Sequence, residues 1–389
     1  MGAAHSHDHR LADSRVRVTP LARRLTLGLL ALVALCTALG IAALWPDYAK
    51  VAEISAATDA TVEGAAYAQG EILGLRECAE PSDDCLRASV GIRSGEDAGR
   101  VVSVELRGSQ TRAGLQAGDR LELAAYPGTG GYVAIGVQRH WPLLALALVF
   151  VAVVIAVGRL RGLLALPALG ISAFVLLAFA LPALVGGGPG LLIGMVASSA
   201  IMFVTLFFVH GFSMRTAAAL LGTLCGILII SGISALSVRL TRLSGVGDEA
   251  TGLLAGTVGG IDFRGLLACS VLIAGLGILN DVTITQASSV WELRAAAPAM
   301  TRREIYARAM RIGRDHIAST VYTVFFAYVG AAIGTLILIS LYDRPLLSLL
   351  SGESIAIEIV RTLCGSIGLV LAVPITTWVA SRLVPAETA

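Results

Sequence analysis

The chain has few charged residues and almost no net charge. Asp, Glu, Lys and Arg together make up 14% of its 389 residues, and the formal net charge is +2. Nothing in this charge balance points to nucleic acid, so we expect no nucleic-acid partner. Hydrophobic residues make up 56% of the chain, which is more apolar surface than a soluble protein of this length can bury. Because the apolar residues also form runs long enough to span a bilayer, we predict an α-helical polytopic membrane protein.

Motifs of enzymes and cofactor sites are also missing. The polar segment 46–139 contains no nucleophile triad, no metal-ligand set and no Gly-rich phosphate loop. The Gly-x-Ser-Gly arrangement of intramembrane proteases is absent as well, and Gly-x-Gly-Asp occurs only at 245–248, outside the predicted spans. We therefore expect a protein that is not an enzyme and that uses no cofactor.

The chain has few cysteines, and their positions indicate two different roles. Four of the six cysteines lie inside apolar runs, where a thiol is usually a small packing residue: Cys36, Cys225, Cys269 and Cys364. Cys78 and Cys85 lie in the polar segment instead. They are a candidate disulfide pair if that segment faces an oxidising compartment.

The N-terminal residues 1–24 form a polar, Arg-rich tail that contains the sequence HSHDH. Its histidines, His5, His7 and His9, could chelate a transition metal together with Asp8. The alternative is a disordered tail, or the remnant of a tag, that binds nothing. A first span is predicted at 25–45. We favour an uncleaved anchor over a signal peptide because the apolar core is long and no convincing small-x-small cleavage site follows.

Residues 46–139 are predicted to form a small β domain of about five strands, barrel-like or sandwich-like. Short alternating segments such as VVSVEL (101–106) and RLEL (120–123) recur between turn-rich stretches. The expected role of this domain is structural, or the docking of a partner.

Seven further spans follow in the predicted transmembrane domain 140–382, ahead of a short tail at 383–389. We place them at about 141–158, 162–184, 189–209, 216–237, 263–282, 317–340 and 360–381. The basic residues of the turns then fall on the side of the Arg-rich N-terminus: Arg159, Arg161, His210, Arg215, Arg294, Arg302, Arg303, Arg308, Arg311 and Arg314. By the positive-inside rule both termini are cytoplasmic, the protein lies in the cytoplasmic membrane and the β domain is outside. Segment 248–260 is too short to span, so it is a re-entrant or interfacial helix or an ordinary loop helix.

A polar stripe in the stretch 266–293 is the strongest functional signal. Asp281, Thr285, Ser288, Ser289 and Glu292 share one face of a helix because they are separated by three or four residues. Polar side chains are costly in a membrane span, so we expect this stripe to form a polar site within the helix bundle. Asp281 is either a functional carboxylate or a paired structural charge.

The segment 311–331 is the predicted partner of the stripe. Asp315, Ser319 and Tyr322 share a helix face, and His316, Thr320 and Thr323 form an adjacent one. Asp315 is expected to cap the start of its helix. Asp262 and Arg264 are assigned as further structural charges or caps.

Three motifs resemble the YibE/F-like membrane proteins: IDFRG (261–265), GLGILNDVTITQASSVWEL (275–293) and RIGRDHIASTVYTVFFAYVGA (311–331). The likeness extends over about 140–380. Members of that family typically carry Met-Asp and Ser where this chain has Asn280-Asp281 and Thr285, and an apolar residue at Gln286. Asp281, Ser288 and Glu292 match. The resemblance implies the membrane topology and supports the choice of candidate site residues. It implies no biochemical activity. The order of elements is also similar, by analogy, to the RND and SecD/SecF permeases, which use proton flux.

Three functions remain open at this point. The leading hypothesis is a transporter driven by the proton-motive force. Its ion-binding carboxylate would be Asp281, and its path would be lined by Thr285, Ser288, Glu292, His316 and Tyr322. The second is a membrane assembly or scaffold factor whose β domain recruits an envelope partner. The third is an intramembrane aspartyl enzyme that uses Asp281 and Asp315.

Overall fold

The structure is a computed structural model that describes residues 18–58, 66–78, 85–125, 131–341 and 345–385. The chain forms two compact units, one of Met1–Ile54 with Arg159–Ala389 and the other of Ser55–Gly158. The histidines at positions 5, 7 and 9 lie outside the described residues, so their metal site stays a prediction.

The smaller unit contains one curled, antiparallel sheet. Its strands are β1 Ala66–Glu77, β2 Cys85–Ile92, β3 Val101–Arg107, β4 Arg120–Ala125 and β5 Tyr132–Val137. They lie in the order β3-β2-β1-β4-β5. The expectation of five strands is confirmed for the described residues, and the strands form a single sheet.

The sheet closes over a small apolar core. Alternate residues of its strands point inward, and Val90, Val104, Leu121 and Leu123 are fully buried, as the two-residue period of a strand requires. Gly70 allows this closure, because a Cβ at that position would overlap the side chains of Val90 and Leu123.

A disulfide joins Cys78, just after β1, to Cys85, the first residue of β2. The two cysteines are seven positions apart, so the bond closes a short loop and limits the unfolded chain. We expect the double change Cys78→Ser and Cys85→Ser to lower the free energy of unfolding of the sheet by about 2.5 kcal/mol. Faster proteolysis of the sheet within the full-length protein would show this. Cys36→Ser, which removes an exposed free thiol, should leave the rate unchanged.

The rest of the described chain is helical. Its helices are α1 Pro20–Ala43, α2 Tyr48–Thr58, α3 His140–Val175, α4 Leu181–Val185, α5 Gly190–His210, α6 Met214–Leu240, α7 Glu249–Thr257, α8 Phe263–Ala296, α9 Arg302–Ala331, α10 Ile333–Ser340, α11 Leu346–Leu350 and α12 Glu353–Leu383. A π-helical turn, Leu176–Ala180, joins α3 to α4.

Among the described residues, six helices are long and apolar enough to cross a membrane: Pro20–Ala43, His140–Val185, Gly190–His210, Met214–Leu240, Phe263–Ala296 and Glu353–Leu383. The pair α9 and α10 adds a seventh if it is counted as one broken span. The span expected at 317–340 is not straight, because these two helices are bent by 65° at their junction. Two expected spans fall inside His140–Val185, whose backbone is non-helical at Arg159. The number eight and the topology therefore stay predictions.

Small residues let the helices of the bundle approach closely. The start of α5 meets the start of α8 with backbone against backbone, since a Cβ on Gly190 would overlap the peptide group of Gly265. In the same way, a Cβ on Gly222 of α6 would overlap Thr376 of α12. Such contacts suit a membrane protein, in which close packing rather than the hydrophobic effect holds helices together.

One end of the bundle, which we call the basic end, is where α8, α9 and the loop 297–301 meet. Arg303, Arg308, Arg311 and Arg314 are exposed there. The buried cluster at this end contains Trp291, Ile305 and Leu383, and Val18 near the start of α1 packs against it. The first and last described parts of the chain thus lie at the same end of the bundle. That this end is cytoplasmic stays a prediction.

The segment 248–260 contains α7, a short exposed helix. Asp248 accepts a hydrogen bond from the backbone N–H of Thr251 and so caps it. Gly252 and Gly256 have open space where a Cβ would be. Gly252 and Gly256 therefore serve no close packing against other described residues, and entry of this segment into the membrane stays a prediction.

Candidate functional site

The polar stripe of α8 lies on the outer face of that helix. The Asp281 and Glu292 side chains are exposed, while Thr285, Ser288 and Ser289 are half-buried. The opposite face, which carries Val282, Ala287 and Val290, is fully buried. The expectation that the stripe forms a site in the interior of the bundle is therefore wrong for Asp281. At Val282, Ala287 and Val290 the buried residues are small or β-branched, which lets α8 pack closely in the bundle.

A groove runs between α8, α9 and α12 beside this stripe. Its volume is about 300 Å³, and its walls are Thr285, Gln286, Ile312, Gly313, Asp315, His316, Ser319 and Val373. The groove thus brings together residues that the sequence placed on two separate helices. Polar side chains come from both α8 and α9, and Val373 closes it from α12.

Asp281 and His316 meet across these two helices. The carboxylate Oδ2 of Asp281 lies 3.8 Å from Nε2 of His316, and the two side chains are 68% and 34% exposed. This distance allows an ion pair but exceeds a hydrogen bond. The Nε2 atom is itself buried and has no hydrogen-bond partner among the described residues. A bridging water, or a shift of about 1 Å between the helices, would complete the bond.

Helix α9 reaches this position because it begins well before the apolar run. Thr301 and Glu304 form a reciprocal capping box: the Thr301 hydroxyl accepts from the Glu304 N–H, and the Glu304 carboxylate accepts from the Thr301 N–H at 2.8 Å. The guanidinium of Arg302 also donates to the carbonyl oxygen of Val384 at the end of α12. Asp315 consequently lies within α9, and its assignment as a helix cap is wrong.

Several residues expected in the path lie elsewhere. Tyr322 is 64% exposed and does not line the groove. Ser288 and Glu292 continue the stripe toward the basic end without lining the groove either. Asp262 caps α8 at its other end by accepting from the Gly265 N–H at 2.9 Å, and Arg264 is exposed beside it.

Gln286 and Thr283 are polar residues of α8 that the stripe did not include. Gln286 is 2% exposed, and its Nε2 lies 3.5 Å from the carbonyl oxygen of Ala309. The hydroxyl of Thr283 lies 2.7 Å from that of Thr223 on α6 in a fully buried contact. Both residues lie on the buried face of α8, so the helical periodicity of the stripe around Asp281 does not include them. For Gln286 the signal was its departure from the apolar residue that the resemblance implies.

Residues 146–386 match the family model described as YibE/F-like protein. The chain belongs to the YibE/F-like family. No curated protein and no solved structure showed significant similarity to the chain. The YibE/F-like region covers most of α3 and all of α4 to α12, and hence every residue of the groove, whereas the sheet precedes it. The groove therefore belongs to the part of the chain that defines the family.

A second polar cluster of the YibE/F-like region lies near the start of α12, away from the basic end. Glu358 and Arg361 form an ion pair there. Arg361 also donates to the hydroxyl of Ser270 on α8, at 3.4 Å. Two opposite charges three positions apart, at the start of a predicted span, were the signal in the sequence.

Outside the YibE/F-like region, a cleft of about 510 Å³ opens between β3 and β5, the two end strands of the sheet. The side-chain amide of Gln110 donates to the carbonyl oxygen of Ala134 at 3.0 Å, so that carbonyl points away from β4 and into the cleft. Tyr132 donates to Asp97 beside it. Hydrogen bonds from Arg100 and Tyr132 hold the pKa of Asp97 below its usual value. Loss of hydration and the bond to Asp97 raise the pKa of Tyr132.

Among the described residues, the grouping that comes nearest to a metal site is Cys78, Cys85 and Glu105. Because the two sulfurs are bonded to each other, they offer no thiolates to a metal. The grouping is therefore better explained as a disulfide beside a surface carboxylate.

Proposed function

We propose that this YibE/F-like protein is a transporter of the cytoplasmic membrane driven by the proton-motive force. On this proposal Asp281 and His316 are the groups that bind and release the proton, and the protein is not an enzyme. The observation that supports it is the 3.8 Å approach of the Asp281 carboxylate to the His316 imidazole across two helices.

Protonation of this pair changes the electrostatic attraction between α8 and α9. A carboxylate attracts an imidazolium, and the attraction is lost when the carboxylate is neutral or the imidazole is uncharged. Because Asp281 belongs to α8 and His316 to α9, the charge state of the pair biases the separation of these helices. This supplies the differential interaction that a two-state transport cycle needs.

Polar groups nearer the start of α8 support a polar route for ions or protons rather than an isolated Asp281–His316 pair. Ser270, which contacts Arg361, precedes Asp281 by about 16 Å along the helix. Asn280 lies next to Asp281, and its Oδ1 is buried without a hydrogen-bond partner among the described residues. Ions and protons cross membranes along such sets of polar side chains.

The test uses sealed membrane vesicles that contain the full-length protein and hold a proton gradient. Monovalent and divalent cations, inorganic anions and amino acids are added singly, and the decay of the gradient is followed with a pH-sensitive dye. We expect at least one solute to dissipate the gradient faster than in vesicles without the protein. Equal decay in both kinds of vesicle for every solute would overturn the proposal.

A second candidate function is supported by the cleft of the sheet. Two strand edges that face each other without a ladder can accept an extended segment by strand addition, and here the partner would be an envelope protein recruited by the sheet. Ala134→Pro removes an N–H on the cleft side of β5, and proline is tolerated on an edge strand.

The two functions predict opposite results in cells that depend on the protein. If the sheet recruits a partner, Ala134→Pro abolishes function and Asp281→Asn leaves it intact. If the groove transports a solute, Asp281→Asn abolishes function whatever the state of the cleft. Immunoblotting of the membrane fraction checks that both variants accumulate to the same level.

A further inference from the structure

We propose that a phosphate group binds around Arg215 at the start of α6. Met214, Ala218 and Ala219 of α6 pack in the buried cluster of the basic end, so this site lies at that end. Arg161 and His210 are the other basic residues of the proposed site. The proposal does not depend on the transport function, because none of these residues lines the groove.

Arg215 is a buried charge that has no counter-charge among the described residues. The residue is only 7% exposed, and its Nε atom is sealed from solvent without a hydrogen-bond partner. No described residue forms an ion pair or a hydrogen bond with its side chain. Burying an unpaired cation is strongly unfavourable, and buried arginines are normally paired with an anionic group. The missing partner is therefore expected to be a bound anion.

The start of the helix that carries Arg215 also favours a bound anion. Helix α6 begins at Met214, and the hydroxyl of its N-cap, Ser213, accepts from the Thr216 N–H at 3.1 Å. The N–H groups of Met214 and Arg215 precede the first intrahelical acceptor, so they are free to bind a ligand. A cation in the first turn is disfavoured by the helix dipole, whereas an anion there is favoured. An anion bound at this point would satisfy both the side chain and the helix.

Further positive charge lies close by. The charges of Arg161 and Arg215 both act on the imidazole of His210, the half-buried last residue of α5. Arg161 follows the break in α3 at Arg159, so it too lies at the start of a helical segment. Two further basic side chains, from α3 and from the end of α5, thus add positive charge near Arg215.

The chemistry of the site favours phosphate. The planar fork of an arginine matches two oxygens of one phosphate group. Phe212, in the same turn, is 89% exposed and stacks on Phe207, so an exposed apolar side chain lies beside the basic residues, as a lipid ligand would need. Both an anionic lipid and free inorganic phosphate offer the required group.

The experiment compares thermal melting of the full-length protein in neutral detergent with and without added ligand. The additions are dioleoylphosphatidylglycerol, dioleoylphosphatidylcholine at the same concentration, and inorganic phosphate. We expect the anionic lipid to raise the melting midpoint by about 5 °C, and the zwitterionic lipid to raise it much less. A rise with inorganic phosphate alone would assign the site to free phosphate and would equally support the proposal.

The variants decide whether Arg215 is responsible. Arg215→Gln should lose the rise while melting no earlier than the wild type in neutral detergent, because it removes an unpaired buried charge. If that variant does not fold, Arg161→Gln, which changes an exposed residue, should still reduce the rise. Arg303→Gln removes an exposed arginine of α9 and should leave it intact. An equal rise in the wild type, Arg215→Gln and Arg161→Gln, or no rise with any addition, would overturn the proposal.

Discussion

Replacing Asp281 with Asn should abolish solute-driven dissipation of the proton gradient while the protein still inserts and folds. The side chain is 68% exposed, so the isosteric amide disturbs little packing. It does remove the group that exchanges the proton, and the loss of such a group typically slows a reaction about 100-fold or more. The measurement is the rate of gradient decay in sealed vesicles with the solute that the wild type responds to.

Two further variants sharpen this result. Glu249→Gln removes an exposed carboxylate from α7 and should transport at the wild-type rate. His316→Gln should slow transport, and combining it with Asp281→Asn should cost little more than Asp281→Asn alone, because the two residues act as one pair. Additive losses would show independent roles. An active Asp281→Asn variant would remove the proton-binding role of this residue.

Periodicity and composition predicted much of the fold because they report on burial. The segments VVSVEL and RLEL fall in β3 and β4, as their alternation indicated. The apolar runs likewise fall in long helices. The start of α9 was missed because residues 302–316 are too polar to be recognised by hydropathy. Their helix depends on the capping box of Thr301 and Glu304. The bend between α9 and α10 was missed because nothing in an apolar run distinguishes a straight helix from a broken one.

The candidate site was predicted residue by residue but not as an arrangement. Asp281 and His316 were both singled out from the sequence, yet their contact depends on how α8 and α9 are placed. That placement is set by packing that no helical periodicity contains, such as the overlap that a Cβ on Gly313 would make with Gln286. Hence the sequence identified the polar face of α8, whose role stays a prediction, but it wrongly placed Asp281 inside the bundle.

The meeting of α5 and α8 predicts the largest loss of stability in the membrane unit. A methyl group on Gly190 would overlap the carbonyl carbon and oxygen of Gly265 and the amide nitrogen of Leu266. All three are backbone atoms, so no side-chain rotation can relieve the overlap and the helices must separate. We expect Gly190→Ala to lower the stability of the protein by about 3 kcal/mol, seen as a melting midpoint in detergent lower by about 8 °C.

Gly232→Ala is the matched control, because it adds the same methyl group to a membrane helix at a position with open space around it. It should leave the midpoint unchanged or raise it slightly, since alanine favours the helix more than glycine does. A similar loss in both variants would mean that glycine is needed for helix flexibility. A loss confined to Gly190→Ala would mean that α5 and α8 are held in backbone contact. That contact fixes the end of α8 opposite the basic end, so motion driven by the Asp281–His316 pair would have to come from α9.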